Sequence, residues 1–366
     1  MARKRPVAAG GRLLELGHES RVLRGNRLGD PHVRRLHVWL PPQYDQAAGR
    51  GRGRRFPVLF DLVGYTGAGF SHTHWRPFDE SLPERAARLV HERKLPPVIL
   101  VFPDCFTSLG GNQYINSSAI GRYADYLTRE LVPTIDRELR TLAAREHRGC
   151  FGKSSGGYGA MLHGMKYPQT WGAIANHSGD ADFDSVYRPE WPRSLDELAR
   201  HARRARRPGP IDVTKTRLAA GSDGRVKRFL THVWRQQKLS DSEVMTLMNL
   251  CMAASYDPDP RAELGFRLPF DLETGELIPE RWRRWLAHDP VRLVERYRKN
   301  LSSLRGLWID CGWRDQYRIH YGSRRLSEQL RKHRVTHRYE EFDATHSGID
   351  YRMERSLPFL ARALRA

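Results

Sequence analysis

Long apolar runs are missing from this sequence. Of its 366 residues 39% are hydrophobic, yet no stretch approaches the roughly 18–20 consecutive apolar residues that cross a bilayer. The opening Met1-Ala2-Arg3-Lys4-Arg5-Pro6 has the positive charge of a secretory leader, but Gly10, Gly11, Arg12, Glu15 and His18 interrupt the apolar run that should follow. A cytoplasmic protein with no membrane contact is therefore expected. Cysteine is equally scarce. Cys105, Cys150, Cys251 and Cys311 stand far apart, which excludes the close pairs of a zinc site and gives no disulfide framework. Three of them lie at or near the ends of apolar runs, where buried reduced thiols belong.

Acidic residues are also in deficit, 42 against 62 basic ones, a net charge of +20. That excess raises the question of a nucleic-acid partner. The charge is spread along the chain and is mostly arginine. Its two densest runs are residues 50–55, at a loop tip between two strands, and residues 203–207, before Pro208-Gly209-Pro210. Neither interleaves aromatics with charge as a base-stacking surface does. A compositional arginine bias accounts for it, and no nucleic-acid partner is expected.

The chain does contain short apolar runs alternating with helical patterns. Residues 13–16 and 22–23 are short alternating segments, and residues 36–40 read as a strand stopped by Pro41-Pro42. Further strands are read at 56–63, 98–102, 148–153, 171–176, 307–310 and 336–342. Helices are expected between them: 81–95, with a Ser81/Glu84 capping box, a long one over 121–142, then 158–167, 289–300, 321–332 and 349–364. This alternation predicts an α/β fold with a mostly parallel sheet, buried on both faces, and an antiparallel start where no helix separates the first strands. Residues 180–289 break the pattern. They carry Trp191, Trp234, Trp282 and Trp285, helices at 195–204 and 240–254, and a turn at Thr274-Gly275. They are expected to form a helical or loop cap inserted in a single domain spanning 1–366.

The strongest chemical signal is Gly152-Lys153-Ser154-Ser155-Gly156, between a short strand and a helix. This is the context of a nucleophile elbow, a strained turn that lifts a serine hydroxyl above the sheet. Side chains at 152 and 156 would collide with neighbouring backbone, and Gly157 and Gly159 would let the helix lie close to the sheet. The Ser155 N–H, at a helix start, suits a developing oxyanion. Gly152-Lys153-Ser154 also contains the end of a phosphate-binding loop, but that motif needs a glycine where His147 stands.

A serine nucleophile needs a base, and after it in the chain the order should be acid and then histidine, each on a loop after a late strand. Of 16 histidines, His346 follows a late strand and opens a loop. His320, His333 and His337 fall within or beside helix and strand patterns. Asp310 and Asp315 both precede His346. Asp315, in the loop 312–316, reaches further than Asp310, which ends the strand and is expected to pin the loop. A second oxyanion donor should come from the loop 62–69, with the Tyr65 N–H first and Thr66 next. His72-Thr73-His74 lacks a third ligand, so no metal and no cofactor is expected.

With these residues assembled, the chain resembles the "Putative esterase" family of α/β hydrolases, which includes S-formylglutathione hydrolases, feruloyl and acetyl-xylan esterases, enterobactin esterases and mycolyltransferases. The resemblance rests on Arg35 through Asp45 with its Pro41-Pro42-Gln43-Tyr44, on Phe102-Pro103-Asp104, Gly121-Arg122-Tyr123 and Gly152 through Ala160, and on Asp310-Cys311-Gly312-x-x-Asp315 and His346. It implies that the later Asp of the Asp-x-Gly-x-x-Asp pattern is the triad acid and that Gly64-Tyr65-Thr66 is the oxyanion loop. The chain departs from the family in Ser155, in the residues after His346, and in the long insertion. The implied activity is hydrolysis of a small-molecule carboxylic ester through an acyl-enzyme. An acyltransferase with the same triad, a serine peptidase and a basic binding protein are the alternatives, and homo-oligomerisation is left open.

Overall fold

A computed structural model describes residues 10–46, 53–202 and 224–365. Part of the first arginine run and all of the second lie outside the described residues, as does the end of the helix expected at 195–204. Eight strands form one sheet in the order β1-β2-β4-β3-β7-β8-β9-β10. They are β1 (Arg12–Glu19), β2 (Val33–Leu40), β3 (Val58–Leu62), β4 (Ile99–Phe102), β7 (Arg148–Lys153), β8 (Ala173–His177), β9 (Gly306–Gly312) and β10 (Arg338–Phe342). A separate two-stranded ribbon pairs β5 (Asn116–Ser117) with β6 (Gly121–Arg122). β2 runs antiparallel to both β1 and β4, and every pairing from β4 through β10 is parallel. The expected parallel sheet with an antiparallel start is thus present.

The central strands are buried along almost their whole length because helices cover both faces. Alternate residues take opposite sides. Val58, Phe60, Leu62, Cys150 and Ile174 join one core with Tyr158, Met161 and Leu326. Leu59, Leu100, Phe151, Ala175 and Trp308 join the other with Leu82, Ala86, Leu357 and Leu360. The first core is backed by the helices Ser155–Lys166, Pro290–Ser302 and Ile319–Lys332, and the second by Leu82–His91 and Met353–Ala363. Ser81 and Glu84 make the expected capping box, and so do Ser240 and Glu243 ahead of the helix Asp241–Tyr256.

Three expectations are corrected. The long helix expected over 121–142 is shorter, running without interruption from Tyr123 to Glu138, and widens to π-helical turns at Tyr126–Leu131 between α-helical ends at Tyr123–Asp125 and Val132–Glu138. Gly121, at φ +142°, is extended chain in β6, and Pro133 has no N–H to continue the ladder, so the preceding turn widens. Residues 22–23 form no strand. The Arg21 and Val22 N–H groups donate instead to the Glu130 carboxylate, at 2.9 and 3.0 Å. The third concerns the helix expected at 195–204, which spans Trp191–Ala199.

Between β8 and β9 the described residues of 180–289 are helical, at Phe183–Val186, Trp191–Ala199, Arg225–Val233, Asp241–Tyr256 and Pro279–Leu286, and add no strand to the sheet. Trp191, Trp282 and Trp285 pack on one another with ring centroids 5.0–6.4 Å apart. Tyr256 carries this cluster onto Tyr158 of the sheet-covering helix, 5.8 Å away. These tryptophans therefore fasten the segment to the body of the molecule. Trp234 is half-exposed.

Candidate active site

All the parallel strands end at one edge of the sheet, and the candidate residues follow them there. Ser154 follows β7 at φ +57°, ψ −125°, a conformation that a side-chain-bearing residue adopts only where its surroundings enforce it. Neighbouring glycines enforce it here. A Cβ on Gly152 would stand 2.0 Å from the Leu62 carbonyl oxygen, and one on Gly156 would stand 1.7 Å from the same atom. Only bare backbone lets the turn fold down on β3. Gly157 faces the end of β8, where a Cβ would meet the Asn176 side chain and the His177 carbonyl. Gly159 makes room for the Tyr114 ring and not for the sheet.

The turn leaves the Ser155 N–H at the start of the helix Ser155–Lys166. Across from it, Gly64 lies against the elbow, a Cβ there falling 3.5 Å from that of Ser154. Tyr65 is the next residue. Neither the Tyr65 nor the Ser155 N–H donates to a backbone acceptor among the described residues. Two backbone donors from segments 90 residues apart thus flank the serine.

Asp315 and His346 are joined. The His346 imidazole Nδ1 lies 2.7 Å from Asp315 Oδ2, and both side chains are buried. The other carboxylate oxygen accepts the Tyr317 N–H at 2.9 Å. The backbone of His346 is held too, since its N–H donates to Gln316 Oε1 at 2.9 Å. The Tyr317 ring stands perpendicular to the imidazole, 5.0 Å between centroids. With Nδ1 turned to the carboxylate, Nε2 is the nitrogen left to accept a proton. No hydrogen bond joins Ser154 to His346 in this structure. Such bonds are commonly long without substrate and tighten when it binds.

Asp310 does not pin the loop as expected. Its carboxylate bonds His177 Nδ1 at 2.6 Å and receives the Arg352 Nε–H at 3.0 Å, tying β8 and β9 to the last helix. His177 Nε2 in turn meets Ser356 Oγ at 2.9 Å. Ser356, His177 and Asp310 therefore repeat the connectivity of a catalytic triad, but all three are at most 1% exposed, so no substrate reaches them. His72 is likewise engaged, its Nδ1 lying 2.5 Å from Asp61 Oδ2. His337 meets Ser327 Oγ at 2.8 Å, and His320 is buried on the helix Ile319–Lys332. All four cysteines are buried free thiols.

Sequence reasoning missed Asp180, just beyond the end of β8. It is buried and accepts the Tyr187 hydroxyl at 2.8 Å. Burial pushes its carboxyl up to about 6, the Tyr187 hydrogen bond and the nearby His346 oppose the rise, and Asp315 adds to it. Nothing in the sequence marks this aspartate apart from its position after a buried strand.

A family model described as "Putative esterase" matches residues 30–354. An esterase of Mycobacterium tuberculosis is 31% identical over 155 residues, 40% of this chain and 29% of that protein. An endo-1,4-beta-xylanase/feruloyl esterase of Xylanibacter ruminicola is 28% identical over 154 residues, 42% of this chain and 20% of that protein. The chain thus spans less than a third of the curated relatives it matches. Among solved structures, a ferulic acid esterase superposes with a TM-score of 0.58 at 16% identity, covering 96% of this chain and 98% of the other. An S-formylglutathione hydrolase from Agrobacterium tumefaciens gives 0.54 at 17%, covering 98% of each. At such identities the structural likeness shows the fold alone.

Proposed function

The chain belongs to the "Putative esterase" family and has the α/β-hydrolase fold, and on that premise we propose that it hydrolyses a carboxylic ester with Ser154 as nucleophile, His346 as base and Asp315 as the acid that orients the base. What supports this reading is that a strained Ser154 follows β7 while a closed Asp315–His346 pair follows β9 and β10, at the same edge of one parallel sheet. His346 Nε2 takes the hydroxyl proton as Ser154 Oγ attacks the ester carbonyl. Asp315 holds the tautomer and stabilises the imidazolium. The Tyr65 and Ser155 N–H groups take up the oxyanion. The proton then passes to the leaving alkoxide, the alcohol departs, and water attacks the acyl-enzyme with His346 again as base. The described residues of 180–289 serve as a cap over this edge of a single domain. Four reduced, buried thiols support a cytoplasmic setting, and among the described residues no helix is long and apolar enough to cross a membrane.

A fluorophosphonate probe followed by peptide mass spectrometry tests the nucleophile. The label should fall on Ser154 and vanish in Ser154→Ala, together with turnover of p-nitrophenyl and hydroxycinnamoyl esters. A label elsewhere, or full activity in Ser154→Ala, would refute the assignment. Repeating the assay with an added alcohol acceptor separates hydrolysis from acyl transfer by the product formed.

A further inference from the structure

We propose that the loop of residues 109–115 is the positioning element of the oxyanion hole, with Gln113 and Tyr114 holding its two backbone donors in register. The proposal rests on the catalytic reading above. An oxyanion hole works only if both N–H groups lie about 3 Å from one developing oxygen. Here the donors sit on separate segments, Tyr65 after β3 and Ser155 after β7, and this loop is bonded to both.

On the Ser155 side, Gln113 is fully buried and its Nε2 donates to Ser155 Oγ at 2.7 Å. That bond fixes the residue whose own N–H is assigned to the developing oxyanion. On the Tyr65 side there are three contacts. The Tyr114 hydroxyl donates to the Val63 carbonyl at 2.6 Å, two residues before Tyr65. The Tyr65 hydroxyl donates to the Leu109 carbonyl at 2.6 Å. Gly111 is pressed so close that a Cβ on it would stand 2.0 Å from the Tyr65 carbonyl oxygen.

The loop is itself anchored. His163 Nε2, on the helix that Ser155 begins, lies 2.8 Å from the Tyr114 carbonyl oxygen, and the Tyr114 N–H donates to Asn112 Oδ1 at 2.6 Å. Tyr114 is held at φ +58°, an unfavourable backbone state for a tyrosine, and its ring fills the space left by Gly159. A strained residue that bonds one donor segment, beside a buried amide that bonds the other, forms a bridge across the hole. Gln113 and Tyr114 touch no reacting atom in this scheme and act through Ser155 and Tyr65.

The test uses Gln113→Met, Ser155→Ala and Tyr114→Phe in the full chain. It measures kcat, KM, melting temperature and the inhibition constant of a trifluoromethyl ketone whose serine adduct carries an oxyanion. Gln113→Met and Ser155→Ala should each lower kcat roughly tenfold to a hundredfold, with KM moving about twofold or less. The ketone should weaken by the same factor as kcat/KM, which a purely structural defect would not reproduce. The double variant should be no worse than either single, because both remove one bond. Tyr114→Phe, nearly isosteric, should cost about threefold to tenfold in kcat by the same route. Wild-type kcat and ketone affinity in folded Ser155→Ala and Tyr114→Phe would overturn the proposal even if Gln113→Met fails to fold, and so would losses confined to KM. A wild-type protein without ester turnover would overturn the catalytic reading and this inference with it. An active wild type matched by its variants would overturn this inference alone.

Discussion

Asp310 and Asp315 stand five residues apart, and each holds a histidine Nδ1 at hydrogen-bond distance, 2.6 and 2.7 Å. Replacing each with asparagine should separate catalysis from stability. Asp315→Asn keeps the shape and the acceptor for the Tyr317 N–H but can present an amide N–H to His346. The imidazole would then carry its proton on Nε2, the nitrogen needed as base. The expected loss is about 10⁴ in kcat, or about 5.4 kcal/mol of transition-state stabilisation. Melting temperature should hardly move. Asp310→Asn should do the reverse. It leaves Arg352, 8% exposed, with one fewer anionic partner, although the Glu340 carboxylate remains bonded to it. Breaking a buried pair costs about 3 kcal/mol. Set against an unfolding entropy of about 0.8 kcal/mol/K for a chain this long, that lowers the midpoint by about 4 °C. Turnover per folded molecule should stay within a few-fold of wild type. Ester kinetics and thermal melts on the same two preparations decide the matter. A folded Asp310→Asn that loses turnover beside an active Asp315→Asn would refute the choice of acid.

Two further outcomes are expected. Asp180 has a folded pKa of about 6, above the ordinary carboxylate value, so the folded state holds its proton more tightly and stability falls as pH rises from about 4 to 6. Asp180→Asn should therefore stabilise the protein at pH 8 by up to roughly 3 kcal/mol and by nothing below pH 4; an equal shift in melting temperature at both pH values would contradict this. Gly156→Ala places a Cβ 1.7 Å from the Leu62 carbonyl oxygen, whereas Gly17→Ala on the edge strand β1 meets nothing within 4 Å. The first should cost about 3 kcal/mol or more and the second about 0.5 or less, as read from denaturant unfolding.

Much of the fold was legible because its strands are buried on both faces and read as apolar runs, and because Ser81/Glu84 and Ser240/Glu243 cap helices by local chemistry. The elbow was legible because a glycine-flanked serine between a strand and a helix is a short local pattern, although the Leu62 carbonyl that requires those glycines lies on another strand. The widened turns inside the helix expected at 121–142 were harder to see, since Pro133 can sit in a first turn as readily as it can widen one. Gly159 shows the limit of such reasoning. That it must be small was apparent, but the Tyr114 ring that requires it comes from a loop 45 residues earlier.

By itself the sequence determined the α/β alternation, the serine turn and the candidates Asp315 and His346, because each depends on residue type and on position relative to the nearest strand. Tertiary structure alone decided which aspartate meets which histidine. Asp310 and Asp315 are chemically identical, but Asp310 lies in β9 in register with His177 of β8, whereas Asp315 lies in the loop beyond the strand, where the chain brings His346 to it. It also decided that Gln113 meets Ser155 and that Asp180 lies near His346 and Asp315, for contacts between segments distant in the chain leave no periodic trace in sequence.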